Sequence, residues 1–464
     1  MNRQYLFFIF IFSMVFSSYA QEDPRLDIIK FGTETEIANL IQTIRAEKTD
    51  SFDNELIALA QASKNTKVLT GILGFFGERE KDGLQARAIK AITEREDETN
   101  ETILAAMDYL GKIKSAEAVP VIMKLLETEE KRFLSVGFRA IGSASAGNKK
   151  LADETAEFLV DYYNDRDPGN ENRSVIINAI GATGSSAGID FLTEIATNSD
   201  ERIPLRMAAL NALSQIGDPK GLDTIISCIN AKDPNLRSSA VGALGPFTGS
   251  AVETAILDAF RDSYYRTRIA AAQASRDRKL ASAVPFLKFR AERDEVPTVR
   301  DESIRALGAI ANDEAVAVLE SLFLERKNTD RVRILAAEML NKNTGGKYFS
   351  KVTAELDEAK RKNQTALYNG FLKIVGETTA ESDKSEIETI ARRFLSTGGI
   401  MEKLYGLDMA NNNKLTGLKE EIITLTKDKN ESLSRKAKRT AESLGIEIPE
   451  AETSAAKTTG AKTP

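Results

Sequence analysis

The stretch Asp233-Pro234-Asn235-Leu236-Arg237-Ser238-Ser239-Ala240-Val241-Gly242-Ala243-Leu244-Gly245 decides the fold. Asp233-Pro234-Asn235 stops one helix and caps the next, because Asp accepts the first unpaired N–H groups and Pro lacks one of its own. The pattern then repeats. Upstream stands Ile203-Pro204-Leu205-Arg206-Met207-Ala208-Ala209-Leu210-Asn211-Ala212-Leu213. Downstream come Thr267-Arg268-Ile269-Ala270-Ala271-Ala272-Gln273-Ala274, then Val299-Arg300-Asp301-Glu302-Ser303-Ile304-Arg305-Ala306-Leu307-Gly308, then Val332-Arg333-Ile334-Leu335-Ala336-Ala337.

Arg173, Arg206, Arg237, Arg268, Arg300 and Arg333 form one column, separated by 33, 31, 31, 32 and 33 residues. Six positions after each arginine stands a small residue, Ala179, Ala212, Ala243, Ala274 or Ala306, with Met339 the exception. Phe138-Arg139-Ala140-Ile141-Gly142 carries the pattern upstream without the aligned arginine. A fixed period of this length marks a repeat array.

Each period holds a second apolar segment. Ala118-Val119-Pro120-Val121-Ile122-Met123-Lys124-Leu125-Leu126 and Ala315-Val316-Ala317-Val318-Leu319-Glu320-Ser321-Leu322 are two of them. Their apolar residues recur at three and four, the spacing of an amphipathic helix. Gly217-Asp218-Pro219 and Asn312-Asp313 punctuate the two helices. The unit is therefore helix, turn, helix, turn. One such hairpin cannot bury both faces, so units must stack. The predicted fold is all-α: an α-solenoid of tandem antiparallel helix pairs.

The run from Asp218-Pro219-Lys220-Gly221-Leu222-Asp223 through Gly245 resembles the short HEAT repeats first associated with phycobilisome lyases, and the resemblance covers roughly Ile103 to Leu340. It implies a superhelix of antiparallel helix pairs with a protein-binding role. It does not imply lyase activity, since the repeat is far commoner than that enzyme.

Composition narrows the function. The chain has 464 residues, a formal charge of −6, one cysteine and no histidine. The commonest general base and metal ligand is therefore missing. Cys228 cannot form an internal disulfide or a cysteine zinc site, and it reads as a small core residue. Charges of both signs alternate, leaving no basic footprint for nucleic acid. No catalytic residue, cofactor or metal is assigned. Paired carboxylates leave a carboxylate-dependent hydrolase or an accessory enzyme subunit as an alternative.

Residues 1–20 read as a secretory signal peptide. Arg3 is basic, Leu6 to Phe16 is apolar, and Ser18-Tyr19-Ala20 offers the small residues of a cleavage site. Cleavage after Ala20 would release the protein into the periplasm or outside the cell. An uncleaved leader would instead make it a membrane-anchored structural or assembly factor. An exported chain without disulfides suits a bacterial envelope.

The expected organisation is signal peptide 1–20, degenerate helical repeats and cap 21–100, HEAT-like repeats 101–343, divergent helical repeats and C-terminal cap 344–447, and a disordered tail 448–464. The expected function is a non-catalytic protein-binding scaffold, monomeric, with no membrane segment once the leader is removed.

Four features compete as sites. The arginine column reads as a structural ladder, each arginine bonding carbonyls or an Asp of the neighbouring repeat. Tyr264, Tyr265, Arg266, Arg276 and Arg278 combine two favoured interface residue types and form the candidate partner patch. The oxygen-rich run Asp161 to Glu171 reads as a solvated insertion loop, since its spacing does not match a calcium loop. Lys427, Lys429, Arg435, Lys436, Lys438 and Arg439 read as a solvated helix face.

Overall fold

The computed structural model describes residues 23–166, 168–380 and 384–449. Among them are 26 α-helices and no strand. The expected leader lies outside the described residues, as does the expected tail beyond Pro449. The helices form two compact units, the first ending at Gly221 and the second beginning at Leu222.

The first unit contains α1 (Pro24–Phe31), α2 (Glu34–Glu47), α3 (Asp53–Ala62), α4 (Thr66–Glu78), α5 (Gln85–Thr93) and α6 (Asn100–Lys112). It continues with α7 (Ala118–Leu126), α8 (Lys131–Ser145), α9 (Lys149–Asp165), α10 (Asn170–Thr183), α11 (Ile189–Thr197) and α12 (Ile203–Ile216). The even-numbered helices stack in chain order, from α2 through α12, and each odd-numbered helix packs on the even one after it. Two layers of helices result, with the apolar residues between them. Phe76, Met107, Leu110, Phe138, Ile177 and Leu210 are fully enclosed there. Each side chain of this kind contributes about 1.5–3 kcal/mol by leaving water.

Close approach within the even layer explains the small-residue column. A β-carbon on Gly111 would lie 2.8 Å from the Cα of Ala140. One on Gly142 would lie 2.6 Å from the carbonyl oxygen of Ala179, and one on Gly181 2.7 Å from the Cα of Ala212. Glycine on one helix therefore meets alanine of the column on the next.

The second unit contains α13 (Leu222–Cys228), α14 (Pro234–Ala243), α15 (Ser250–Ala259), α16 (Tyr265–Arg278), α17 (Val284–Arg293), α18 (Pro297–Ile310) and α19 (Asp313–Leu324). After these come α20 (Asp330–Asn343), α21 (Phe349–Arg361), α22 (Thr365–Glu377), α23 (Ser385–Thr397), α24 (Ile400–Asn413), α25 (Lys419–Leu425) and α26 (Glu431–Ser443). Again the even helices stack, from α14 through α26, beneath the odd ones. Met339, the bulky exception in the column, still faces a glycine: a β-carbon on Gly308 would lie 2.8 Å from its Cβ. Cys228 is buried on α13.

The predicted punctuation has a direct physical reading. Asp233 Oδ1 accepts from the N–H groups of Asn235 and Leu236 at 2.9 and 3.0 Å, opening α14. Asn312 Oδ1 accepts from Ala315 N–H at 2.8 Å, opening α19. Gly217 closes α12 in the left-handed region, with φ 68°, which glycine adopts without strain.

The run Asp161 to Glu171 departs from its expectation. Residues 161–165 belong to α9, a 17-residue helix. Tyr162 and Tyr163 are buried, with ring centroids 4.9 Å from those of Phe138 and Phe191 respectively. The extra residues lengthen a helix rather than a loop, because Leu159, Tyr162 and Tyr163 continue the apolar face begun by Ala152, Thr155 and Ala156.

Candidate binding surface

The arginine column lies at the joints between hairpins. Arg237 donates through Nε and Nη2 to the two carboxylate oxygens of Asp262, at 2.7 and 2.9 Å. Its Nη1 reaches the carbonyls of Ala231 and Lys232, both at 3.1 Å. One repeat later Arg268 holds Asp294 in the same way, at 2.7 and 2.8 Å, while its Nη1 donates to the carbonyls of Asp262 and Ser263. Arg300 then donates to the carbonyl of Asp294 at 2.6 Å. Each aspartate thus joins two arginines of the column, one through its side chain and one through its backbone. Arg333 bonds the carbonyl of Phe323 at 3.0 Å and Glu355 at 2.6 Å.

In the first unit Arg206 donates to the carbonyl of Ala196 at 2.9 Å, and Arg173 sits 5.2 Å from the ring centroid of Tyr163.

Burial acts to raise the pKa of Asp262 and Asp294, but hydrogen bonds outweigh it. Arg237 and the Tyr264 N–H hold Asp262 below the ordinary carboxylate value; Arg268 and the Val296 N–H do so for Asp294. These charges are spent on one another inside the fold.

Tyr264, Tyr265, Arg266, Arg276 and Arg278 do not converge. The first three sit at the start of α16 and the two arginines in its last turn. Tyr265 and Arg276 are about 16 Å apart along the axis at 1.5 Å per residue. Their polar groups are engaged by neighbouring residues. Tyr264 Oη donates to Asn235 Oδ1 at 2.9 Å, and Arg266 Nε donates to Tyr265 Oη at 3.1 Å. Arg276 pairs with Glu302, and Arg278 donates to the carbonyls of Leu244, Gly245 and Phe247, closing the end of α14.

The exposed aromatic surface of this unit lies one helix further on. Arg261, Pro285, Phe286, Phe289 and Arg290 line an open groove of about 390 Å³ where the end of α15 meets α17. Phe289 is 48 % exposed. Phe260 stacks on Phe286 with centroids 5.7 Å apart, and the Arg261 guanidinium lies 4.9 Å from the Phe286 centroid. Arg290 and Arg293 lie 5.2 and 5.7 Å from the centroid of Phe289. Arg290 is fixed from behind, donating to the carbonyl of Phe260 and to Asp294. A signal for this surface exists in the sequence: Phe286 and Phe289 are three apart, on the opposite face from Val284, Leu287 and Ala291.

Arg435, Lys436 and Arg439 of α26 line a second, more polar groove with α24. Lys436 pairs with Asp408 at 2.6 Å there, beside Arg435 and Arg439. Among the described residues, no group of three or more acidic or cysteine side chains is placed to hold a metal ion. Among the same residues, no helix is long and apolar enough to cross a membrane.

Two layers of stacked helical hairpins define an α-solenoid built from HEAT repeats. The model of the spirochaete HEAT repeat protein family matches residues 29–440, and the chain belongs to that family. The match extends well beyond residues 103–340 on both sides. No curated protein matches the sequence. Similar solved structures include a Kap121p mutant, with 12 % identity, TM-score 0.47, and coverage of 91 % of this chain and 53 % of that one. Kap121p bound to Pho4p gives 11 %, 0.46, 91 % and 53 %. Importin beta in an ammonium sulfate condition gives 13 %, 0.41, 91 % and 72 %. The chain spans about half the length of the Kap121p structures.

Proposed function

We propose that this HEAT-repeat protein is a protein-binding scaffold of the bacterial cell envelope that works without catalysis. The observation that carries this reading is the groove at Phe286 and Phe289. Large aromatic side chains left partly in water and ringed by arginines are typical anchors of protein interfaces. Membership of a HEAT family agrees with it. Nothing in the ladder chemistry calls for turnover, since the arginines and aspartates of the joints are bonded to each other.

Export is proposed from the apolar run Leu6 to Phe16 and the small residues Ser18 and Ala20. The protein would then act in the periplasm or outside the cell as a monomer. Lysine-reactive crosslinking in the native host, followed by identification of crosslinked peptides, tests the scaffold role. Discrete crosslinks to a second protein are expected. A chain that crosslinks only within itself would refute the role. N-terminal sequencing of the purified protein tests export: Gln21 as first residue is expected, and a retained Met1 would contradict it.

A further inference from the structure

Taking the scaffold reading as its basis, we infer that the groove between α15 and α17 binds an acidic peptide segment with an aromatic or branched aliphatic anchor. The floor is apolar, made by Pro285, Phe286 and Phe289. Its charge is one-sided. By helix periodicity Phe286, Arg290 and Arg293 fall to one side of Phe289 and Glu292 falls to the other. Arg261 closes the same side from the end of α15.

Among the described residues no carboxylate pairs with Arg293, and Arg261 meets only Asp258, in a pair whose side chains are both about two-thirds exposed. Such a pair holds its arginine weakly and gives way to a better acceptor. Arg290 cannot swing away, because Phe260 and Asp294 hold it. The floor therefore takes one large apolar side chain. The guanidiniums of Arg261 and Arg293 beside it take carboxylates in the forked geometry they favour. A basic segment would be repelled by Arg261 and Arg293, so the groove selects by charge and the floor supplies the burial.

The test uses fluorescence anisotropy with the full chain and a labelled short peptide carrying Leu-Phe between runs of Asp and Glu. One matched peptide replaces the acids by Lys, and another replaces Leu-Phe by Ala-Ala. Saturable binding of the acidic Leu-Phe peptide alone is expected, weakening as salt rises. Phe289→Ala and Arg293→Glu should each weaken it about tenfold or more, as interface anchors do. Arg435→Glu, on α26, should leave it unchanged. Both groove residues are exposed, so unchanged unfolding midpoints should accompany the loss.

Equal binding of the Lys peptide, no saturable binding, or insensitivity to Phe289→Ala would overturn the inference. So would self-association on sedimentation that Phe289→Ala abolishes, since a second copy would then cover the groove. Crosslinks in the host that map away from α15 and α17 would remove this groove and leave the scaffold role standing. Absence of any partner would remove both.

Discussion

Arg268 grips Asp294 with two hydrogen bonds of 2.7 and 2.8 Å, and the aspartate side chain is fully out of water. The pair ties α16 to the turn that leads into α18. Its value is asymmetric, because removing one partner strands the other as a buried charge. Asp294→Ala should therefore destabilise the second unit by about 3–5 kcal/mol, the usual cost of breaking a buried pair. Urea unfolding of the variant checks it. A cost no greater than that of removing an exposed pair such as Arg261–Asp258 would mean that the joint is not held this way.

The same pairs set a pH dependence. Asp262, Asp294 and Asp53 have folded pKa values below the ordinary carboxylate value of about 3.9. Burial opposes each, and arginine hydrogen bonds prevail, with Arg79 and Lys81 in that role at Asp53. Between the folded and unfolded values the unfolded chain binds more protons, so stability rises with pH in that window. The contribution is complete above about pH 4 and is lost as pH falls through the lower folded values. With no histidine in the chain, stability should be nearly flat from about pH 5.5 to 8. Thermal unfolding across pH 2–8 checks both parts, where a midpoint step near pH 6.5, the usual histidine range, would contradict them.

Close packing of the even layer predicts a contrast between two glycines of the first unit. Gly142→Ala would push a methyl group to 2.6 Å from the Ala179 carbonyl oxygen, so α8 and α10 must separate. A loss of about 1–3 kcal/mol is expected, as for other overpacked sites. Gly74→Ala, in the middle of α4 with no atom within 4 Å, should stabilise by about 0.5–1 kcal/mol through helix propensity. Paired denaturation curves would show opposite signs.

Arg278 was expected at an interface and instead closes the end of α14, donating to the carbonyls of Leu244, Gly245 and Phe247. Arg278→Ala should thus cost stability, on the order of 1.5–3 kcal/mol as for charge-assisted hydrogen bonds, and leave peptide binding at Phe289 unchanged. Loss of binding with intact stability would reverse that assignment.

The repeat was legible because arginine, alanine and glycine recur in one register, and each has a local reason. The arginine reaches a joint, Ala179 and Ala212 each meet a glycine of the preceding even helix, and the Asp-Pro or Gly-Asp punctuation caps and stops helices. Helix α21 lies within the expected helical repeats of 344–447 but gives a weak signal, because its apolar residues Phe349, Val352, Leu356 and Ala359 stand among many charges. The extension of α9 was missed for a different reason: the carboxylates around Tyr162 and Tyr163 suggested solvent, yet they lie on the other face of the helix.

The surface was the least legible part. Tyr264 and Arg276 look like interface residues in a one-dimensional reading. Whether an arginine is spent inside the fold or free at the surface depends on which carbonyls and carboxylates the next repeat brings to it. Phe289 shows the converse. It is apolar by type, yet it lies on the face of α17 away from Val284, Leu287 and Ala291 and stays partly in water.

Placing a photocrosslinking amino acid at position 289, and separately at the exposed Gln273 of α16, tests the scaffold account most directly in living cells. Discrete adducts with one acidic envelope protein from position 289, and none from position 273, are predicted. Recovery of only unmodified protein from both positions, in the cytosolic fraction, would contradict the account.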